Sequence, residues 1–152
     1  MKTTTHSHNG GGSGAAGRLV DEVVELIKSL HLTFGKNVAP KLRQELLTHL
    51  RRHGWSNAVP IKAKFKLTIT ATNLNVGLCL QTGNASRLYA DMLKLQAAFL
   101  SGNIEQAIIV VPTRAAAREM GQNIASYDRL VGELGVFRAI ITMPIVVVGV
   151  SQ

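Results

Sequence analysis

At 152 residues with 46% hydrophobic content, the chain is long enough for one domain with a real core. Seventeen Lys and Arg against nine Asp and Glu leave a net charge of +8, which favours a polyanionic partner. A single cysteine excludes an internal disulfide and a cysteine-based zinc cluster, and the longest apolar run, residues 144–150, is too short to span a bilayer.

The opening segment M-K-T-T-T-H-S-H-N-G-G-G-S-G lacks the apolar stretch of a secretory signal, so a soluble, cytoplasmic protein with no membrane partner is expected. Residues 1–16 show no hydrophobic period and read as a flexible arm, with His6 and His8 read as polar filler in preference to weak metal ligands. Residues 17–152 read as a single domain. Leu19, Val23, Leu26, Ile27 and Leu30 recur at helical spacing over residues 17–32. A second helix begins at Pro40, carries Leu42, Leu46, Leu47 and Leu50 on one stripe, and ends at Gly54.

The period then changes. Phe65, Leu67 and Ile69 alternate with Lys64, Lys66 and Thr68, which predicts a half-buried strand. A turn over residues 70–75 leads into a strand from Val76 to Gln81, making a hairpin. Residues 85–100 are helical, Ala107 to Val111 is a buried strand closed by Pro112, and residues 114–134 are helical with an interruption at Gly121. Two further strands are expected at residues 137–142 and 145–150. The central strand–helix–strand order calls for a parallel crossover, so the fold class is α/β, a mixed sheet of about five strands flanked by helices.

The positive charge is uneven. Lys36, Lys41, Arg43, Arg51, Arg52, Lys62, Lys64 and Lys66 fall within 31 residues, opposed only by Glu45. Such a cluster neutralises phosphates and releases their counterions, which nominates Lys41, Arg43, Arg51, Arg52, Lys62, Lys64 and Lys66 as nucleic-acid contacts. Trp55, beside Arg51 and Arg52, either stacks on a base or caps the core. No phosphate-binding loop G-x-x-x-x-G-K-[ST] and no G-x-S-x-G nucleophile elbow occurs. Cys79, between Leu78 and Leu80, reads as a core thiol rather than a nucleophile. Carboxylates are scarce: between Glu45 and Glu105 the only one is Asp91, spaced with Arg87 and Lys94 as in a surface ion-pair ladder.

The segment V-G-L-C-L-Q-T-G-N-A-S-R-L-Y-A-D-M-L-K-L-Q, followed by I-I-V-V-P-T, resembles restriction endonucleases of the BglII/BstYI type, within the PD-(D/E)xK nuclease superfamily. The resemblance covers roughly residues 55–150. It implies a restriction-endonuclease-like mixed sheet, a site on the central hairpin, Mg²⁺ as cofactor if the protein is active, double-stranded DNA as partner, and a two-fold homodimer. In that family an aspartate ends the first hairpin strand, and Glu-x-Gln follows nine residues later. Laid on this sequence the acids fall at Thr70 and Cys79, and only Gln81 fits. Three readings stay open. The chain keeps the fold without the chemistry and binds DNA or a partner. The site has migrated, with Asp91 and Glu22 or Glu25 supplying oxygens near Gln81, and Lys94 or Lys66 assisting. Or the acids were removed by design. Gln81, Asp91 and Lys94 are therefore the candidate catalytic residues. The alternative functions are an active Mg²⁺-dependent endonuclease and a homo-oligomeric protein-interaction subunit, the latter built on Ala115, Ala116, Ala117, Met120, Ile124 and Leu130. The short chain leaves little room for loops that read base edges, so weak or shape-based recognition is expected.

Overall fold

The computed structural model describes residues 1–152, apart from the side chain of Ala63. Its centre is three strands: β5 (Val76–Leu80), β6 (Gln106–Pro112) and β7 (Ile145–Ser151). They are parallel neighbours and almost wholly buried. That is why they read as continuous apolar runs rather than alternating ones. Alternation persists in which face each residue serves. In β6, Ile108 and Val110 face one apolar cluster, while Ala107, Ile109 and Val111 face the other. The first cluster is covered by α1 (Ala16–Ser29), α2 (Val38–Arg52) and α4 (Arg114–Met120), and the second by α3 (Ser86–Leu100) and α5 (Tyr127–Val136). The expected mixed α/β sheet of five strands with helices on both faces is thus the observed one, in the order β1-β7-β6-β5-β4.

Two antiparallel strands complete it. β4 (Ala71–Asn73) pairs with β5, and β1 (Lys2–His8) pairs with β7 from Lys2 opposite Ser151 to His8 opposite Ile145. Residues 2–8, expected within a flexible arm, are therefore an edge strand. Three consecutive threonines favour extended backbone, and an edge strand needs no apolar alternation when only its hydrogen-bonding groups are wanted by the sheet. His8 is buried there, its Nε2 2.8 Å from the Ile141 carbonyl, so it is a structural residue and not polar filler.

The predicted strand at residues 65–69 is also corrected. Ala63–Phe65 is a 3-10 turn, and Lys66 adopts a left-handed φ of +53°, which breaks the extension. Only β3 (Leu67–Ile69) remains. It pairs with β2 (Val59–Lys62) in a separate two-stranded arm that leaves Phe65 and Leu67 exposed. The turn expected at residues 70–75 contains β4, with the reversal at Leu74, where φ is +49°. Residues 137–142 are no strand. They close the end of α5 through hydrogen bonds from Ile140 N and Ile141 N to the Phe137 carbonyl. Both edges of β7 are already taken by β6 and β1, so these residues cannot pair with it as a hairpin. The helix expected over residues 114–134 is split into α4 and α5, with Gly121 at a φ of +149°.

Two glycines carry geometric demands. Gly54 follows α2 in a left-handed conformation (φ +84°), which ends the helix where the sequence places it. Gly77 brings β5 against α3: a Cβ there would lie 2.9 Å from Ile104 Cδ1 and 3.1 Å from Leu95 Cδ2. That close approach sets the height of α3 above the end of β5.

Candidate functional site

The β4–β5 hairpin brings Thr70 beside Cys79. Ala71 is opposite Leu78, and Thr70 N donates to the Leu78 carbonyl at 3.0 Å. Thr70 Oγ1 accepts from Leu80 N at 3.1 Å, so its hydroxyl is engaged with the backbone of the facing strand. Gln81 lies just past the end of β5, held by its N–H donating to the Val110 carbonyl at 2.9 Å. Its side chain is locked at both ends: Oε1 accepts from Gly83 N at 2.9 Å, and Nε2 donates to Asp91 Oδ2 at 2.6 Å. Asp91 comes from the second turn of α3. Its other oxygen, Oδ1, lies 2.6 Å from Lys94 Nζ, and Lys94 also donates to the Thr68 carbonyl at 2.8 Å. Gln81, Asp91 and Lys94 therefore meet in one chain of contacts.

These residues form one wall of an open cleft of about 390 Å³ between α2, α3 and the hairpin. From α2 come Arg43, whose Nη2 donates to the Leu80 carbonyl at 2.9 Å, and Arg51. Arg87, one turn before Asp91 on α3, completes the lining. The cleft thus holds four cationic side chains, Arg43, Arg51, Arg87 and Lys94, against one carboxylate, Asp91. With low-dielectric walls behind them, such like-signed groups focus a field that attracts anions. Arg87 was legible only as a rung of the α3 ladder. The signal that promotes it is its position one turn before Asp91, on the face that also carries Lys94.

The remaining sequence candidates are placed elsewhere. Lys41, Arg52, Lys62, Lys64 and Lys66 are exposed but do not line the cleft. Lys62 and Lys64 sit on the two-stranded arm with Lys66, and Lys64 Nζ lies 5.8 Å from the centre of the exposed Phe65 ring. Trp55 is buried and its Nε1 donates to Glu22 Oε1 at 3.0 Å, so it caps the core and cannot stack on a base. That bond also removes Glu22 from contention as a relocated ligand, and Glu25 is paired with Lys28 on the surface at 2.8 Å. Of the small residues proposed for helix contacts, Ala116 and Met120 face one sheet cluster of this chain and Leu130 the other.

The fit of a divalent cation can be judged from the donors. Mg²⁺ takes about six oxygens in near-octahedral geometry, with carboxylates as its anchors. Both oxygens of Asp91 are already engaged, one by an ammonium that a cation would have to displace. Cys79 is buried, and desolvation, reinforced by the Asp91 charge, pushes its thiol up to about 12, which opposes formation of a thiolate ligand. A thiol is in any case too soft for Mg²⁺. No group of three His, Cys, Asp or Glu able to hold a metal occurs among the described residues. The residues at this hairpin do not fit the ion that the resemblance implies. No helix among the described residues is long and apolar enough to cross a membrane.

Comparison with known proteins bears on the same region. The family model of restriction endonuclease BglII/BglIII matches residues 3–150. A crystal structure of restriction endonuclease BglII complexed with a DNA 16-mer superposes with a TM-score of 0.84 at 17% identity, covering 100% of this chain and 79% of that one. A crystal structure of free BglII gives a TM-score of 0.75 at 18% identity, covering 100% and 80% respectively. No curated protein matches the chain.

Proposed function

Given that this chain belongs to the BglII/BglIII restriction endonuclease family, we propose that it docks double-stranded DNA through the cationic cleft and does not hydrolyse it. One observation carries the reading: the cleft at the hairpin presents four cations, and its single carboxylate is already held by Lys94 and Gln81. Arg43, Arg51 and Arg87 meet phosphate oxygens directly, and the exposed lysines of α2 and the two-stranded arm extend the contact along the backbone. Binding of this kind needs no Mg²⁺ and weakens steeply with salt, by about 0.9 in the logarithm of affinity per decade of salt for each phosphate neutralised. BglII has been seen complexed with a DNA 16-mer, and the shared fold makes a duplex the natural ligand here. The experiment is fluorescence anisotropy of a labelled duplex across salt, with EDTA or Mg²⁺, beside plasmid cleavage with Mg²⁺ and Mn²⁺. Salt-dependent binding without cutting is expected. No binding at low salt would overturn the reading.

A second reading, a Mg²⁺-dependent endonuclease with a relocated carboxylate, draws on the direct Gln81–Asp91 contact. Plasmid cutting that is lost in Asp91→Ala would establish it. A third, homodimerisation, draws on an apolar groove between α3 and the end of α5, lined by Tyr89, Met92, Leu93, Phe137, Ile140 and Ile141, with Leu93 and Ile140 more than half exposed. Sedimentation of the protein and of a Leu93→Glu variant tests it: a pair that separates in the variant supports it, and a monomeric parent ends it.

A further inference from the structure

The two-stranded arm begins at the lip of the cleft. Ala58, Thr68 and Ile69 line the cleft itself, and Lys94 on the cleft wall donates to the Thr68 carbonyl at 2.8 Å. The base of the arm is fastened: Ile69 is buried, and Val59 and Ile61 pack against the apolar cluster that holds Leu95 and Ile104. Its tip is free. Phe65 is 64% exposed and Leu67 41%, and Lys62, Lys64 and Lys66 are exposed around them. The register shift between Pro60 and Lys62, the 3-10 turn Ala63–Phe65 and the left-handed Lys66 take the tip out of the β2–β3 ladder. Three residues separate Phe65 from the cleft-lining Thr68, a reach of at most about 10 Å of chain.

Apolar side chains held in water and rimmed by charge mark a contact surface. The rim fixes the sign of the partner: no Asp or Glu occurs from residue 46 to residue 90, so the arm attracts a polyanion. The ring fixes its chemistry. A nucleobase offers a flat face on which an aromatic side chain stacks, with phosphates beside it for the lysines. Lys64 Nζ lies 5.8 Å from the centre of the Phe65 ring, so a base and a phosphate of one strand can be met together. In a perfect duplex the base faces are covered by neighbouring pairs, and they open only where a base is unpaired or a step is unstacked. We propose that Phe65 stacks on such a base while Lys62, Lys64 and Lys66 meet the flanking phosphates, so that the arm favours locally opened DNA over a perfect duplex. The inference rests on the DNA-docking reading for the duplex in the cleft, and on the arm alone for the stacked base.

The test compares two labelled duplexes by fluorescence anisotropy with the full chain in EDTA: one fully paired, and one of the same sequence carrying a single unpaired thymine. The parent should bind the second about tenfold more tightly. Phe65→Ala should bind the two alike, and Phe65→Trp should keep the preference. Lys64→Gln should weaken binding to both and reduce the salt slope by about one, with the preference intact. The indole of Phe65→Trp should also be quenched by the unpaired duplex, against the constant background of the buried Trp55. A parent without preference overturns the inference, as does a preference that survives in Phe65→Ala. A lipid surface is the other polyanion with apolar depth. Capture of the parent by phosphatidylserine vesicles that is lost in Phe65→Ala, with no preference between the duplexes, also overturns it. A parent that binds no paired duplex overturns the function proposed above. The arm is then decided by a short single strand of thymidylates, whose quenching of the Phe65→Trp indole supports the stacking and whose failure to quench ends it.

Discussion

Two carboxylates on this molecule are built alike and end differently. Asp91 pairs with Lys94 three residues on and accepts from a neutral donor, Gln81. Glu133 accepts from Arg129 four residues earlier at 2.7 Å and from the Tyr89 hydroxyl at 2.8 Å. In sequence both are ordinary helical ion pairs. In space, Asp91 has both oxygens engaged and lies in a cleft with three arginines from two helices. Glu133 has one oxygen engaged, by Arg129 and the Tyr89 hydroxyl, and the other buried without a partner. Their cations differ too: the Arg129 side chain is 45% exposed and that of Lys94 19%. The difference lies in what other elements deliver. A strand end supplies Gln81 and α2 supplies Arg43 and Arg51, whereas the Glu133 pair is met only by Tyr89 of the adjacent helix. Spacing along a helix therefore identifies a pair, and the neighbours decide whether it is a site.

The largest effect should come from breaking the Asp91 side of this contrast. Asp91→Ala leaves a largely buried ammonium and the Gln81 amide without their acceptor, and should cost about 3 kcal/mol of stability in urea unfolding. A loss no larger than that of Glu133→Ala would erase the distinction. Next, Arg43→Gln should lower duplex affinity about tenfold and reduce the salt slope by about one. Anisotropy across salt concentration measures both, and an unchanged slope would mean that Arg43 only anchors the Leu80 carbonyl. Cys79 gives the third. Its thiol is raised in the folded protein from 9.0 to about 12, first by burial and then by Asp91. The folded state thus keeps a proton that the unfolded chain releases. The resulting stability is complete below pH 9 and is lost as pH rises from 9 toward 12, by about 1 kcal/mol per pH unit at first. Cys79→Ala should flatten that alkaline limb in urea titrations at pH 8.5 and 10. The smallest effect belongs to Glu133→Ala, about 1 kcal/mol, because its partner is half in water. A cost above that of Asp91→Ala would reverse the comparison.

Much of this was legible in sequence. The buried strands at β5, β6 and β7 announce themselves as apolar runs, and the helical stripes of α1, α2 and α3 match the observed buried faces. Gln81 could be nominated because it falls where the resembled family carries the glutamine of Glu-x-Gln, Asp91 because it is the only carboxylate between Glu45 and Glu105, and Lys94 as its neighbour on the helix. What was hidden depends on partners distant along the chain. β1 has no apolar signature because its role is to pair its backbone, and β2 is too short to show a period. The basic run could not be divided by composition: Arg43 and Arg51 face the cleft while Lys62, Lys64 and Lys66 stand on the arm, because helix phase and a left-handed Lys66 separate them. Trp55 and Glu22 lie 33 residues apart, and only the packing of α2 against α1 makes them a pair.

The pairing of β1 with β7 has a consequence for how the molecule is assembled in time. Lys2 meets Ser151, so this ladder joins residues nearly the whole chain apart. Such a loop is the most costly to close entropically, and sequence-distant contacts of this kind slow folding. The crossovers through α3 and through α4–α5 can bring β5, β6 and β7 together first. During that interval the valine-rich flank of β7 is an open edge able to accept a strand from another molecule. The seven-residue threonine-rich strand is then a late-arriving cover: its contribution lies less in core packing than in ending the period during which nascent molecules can join edge to edge.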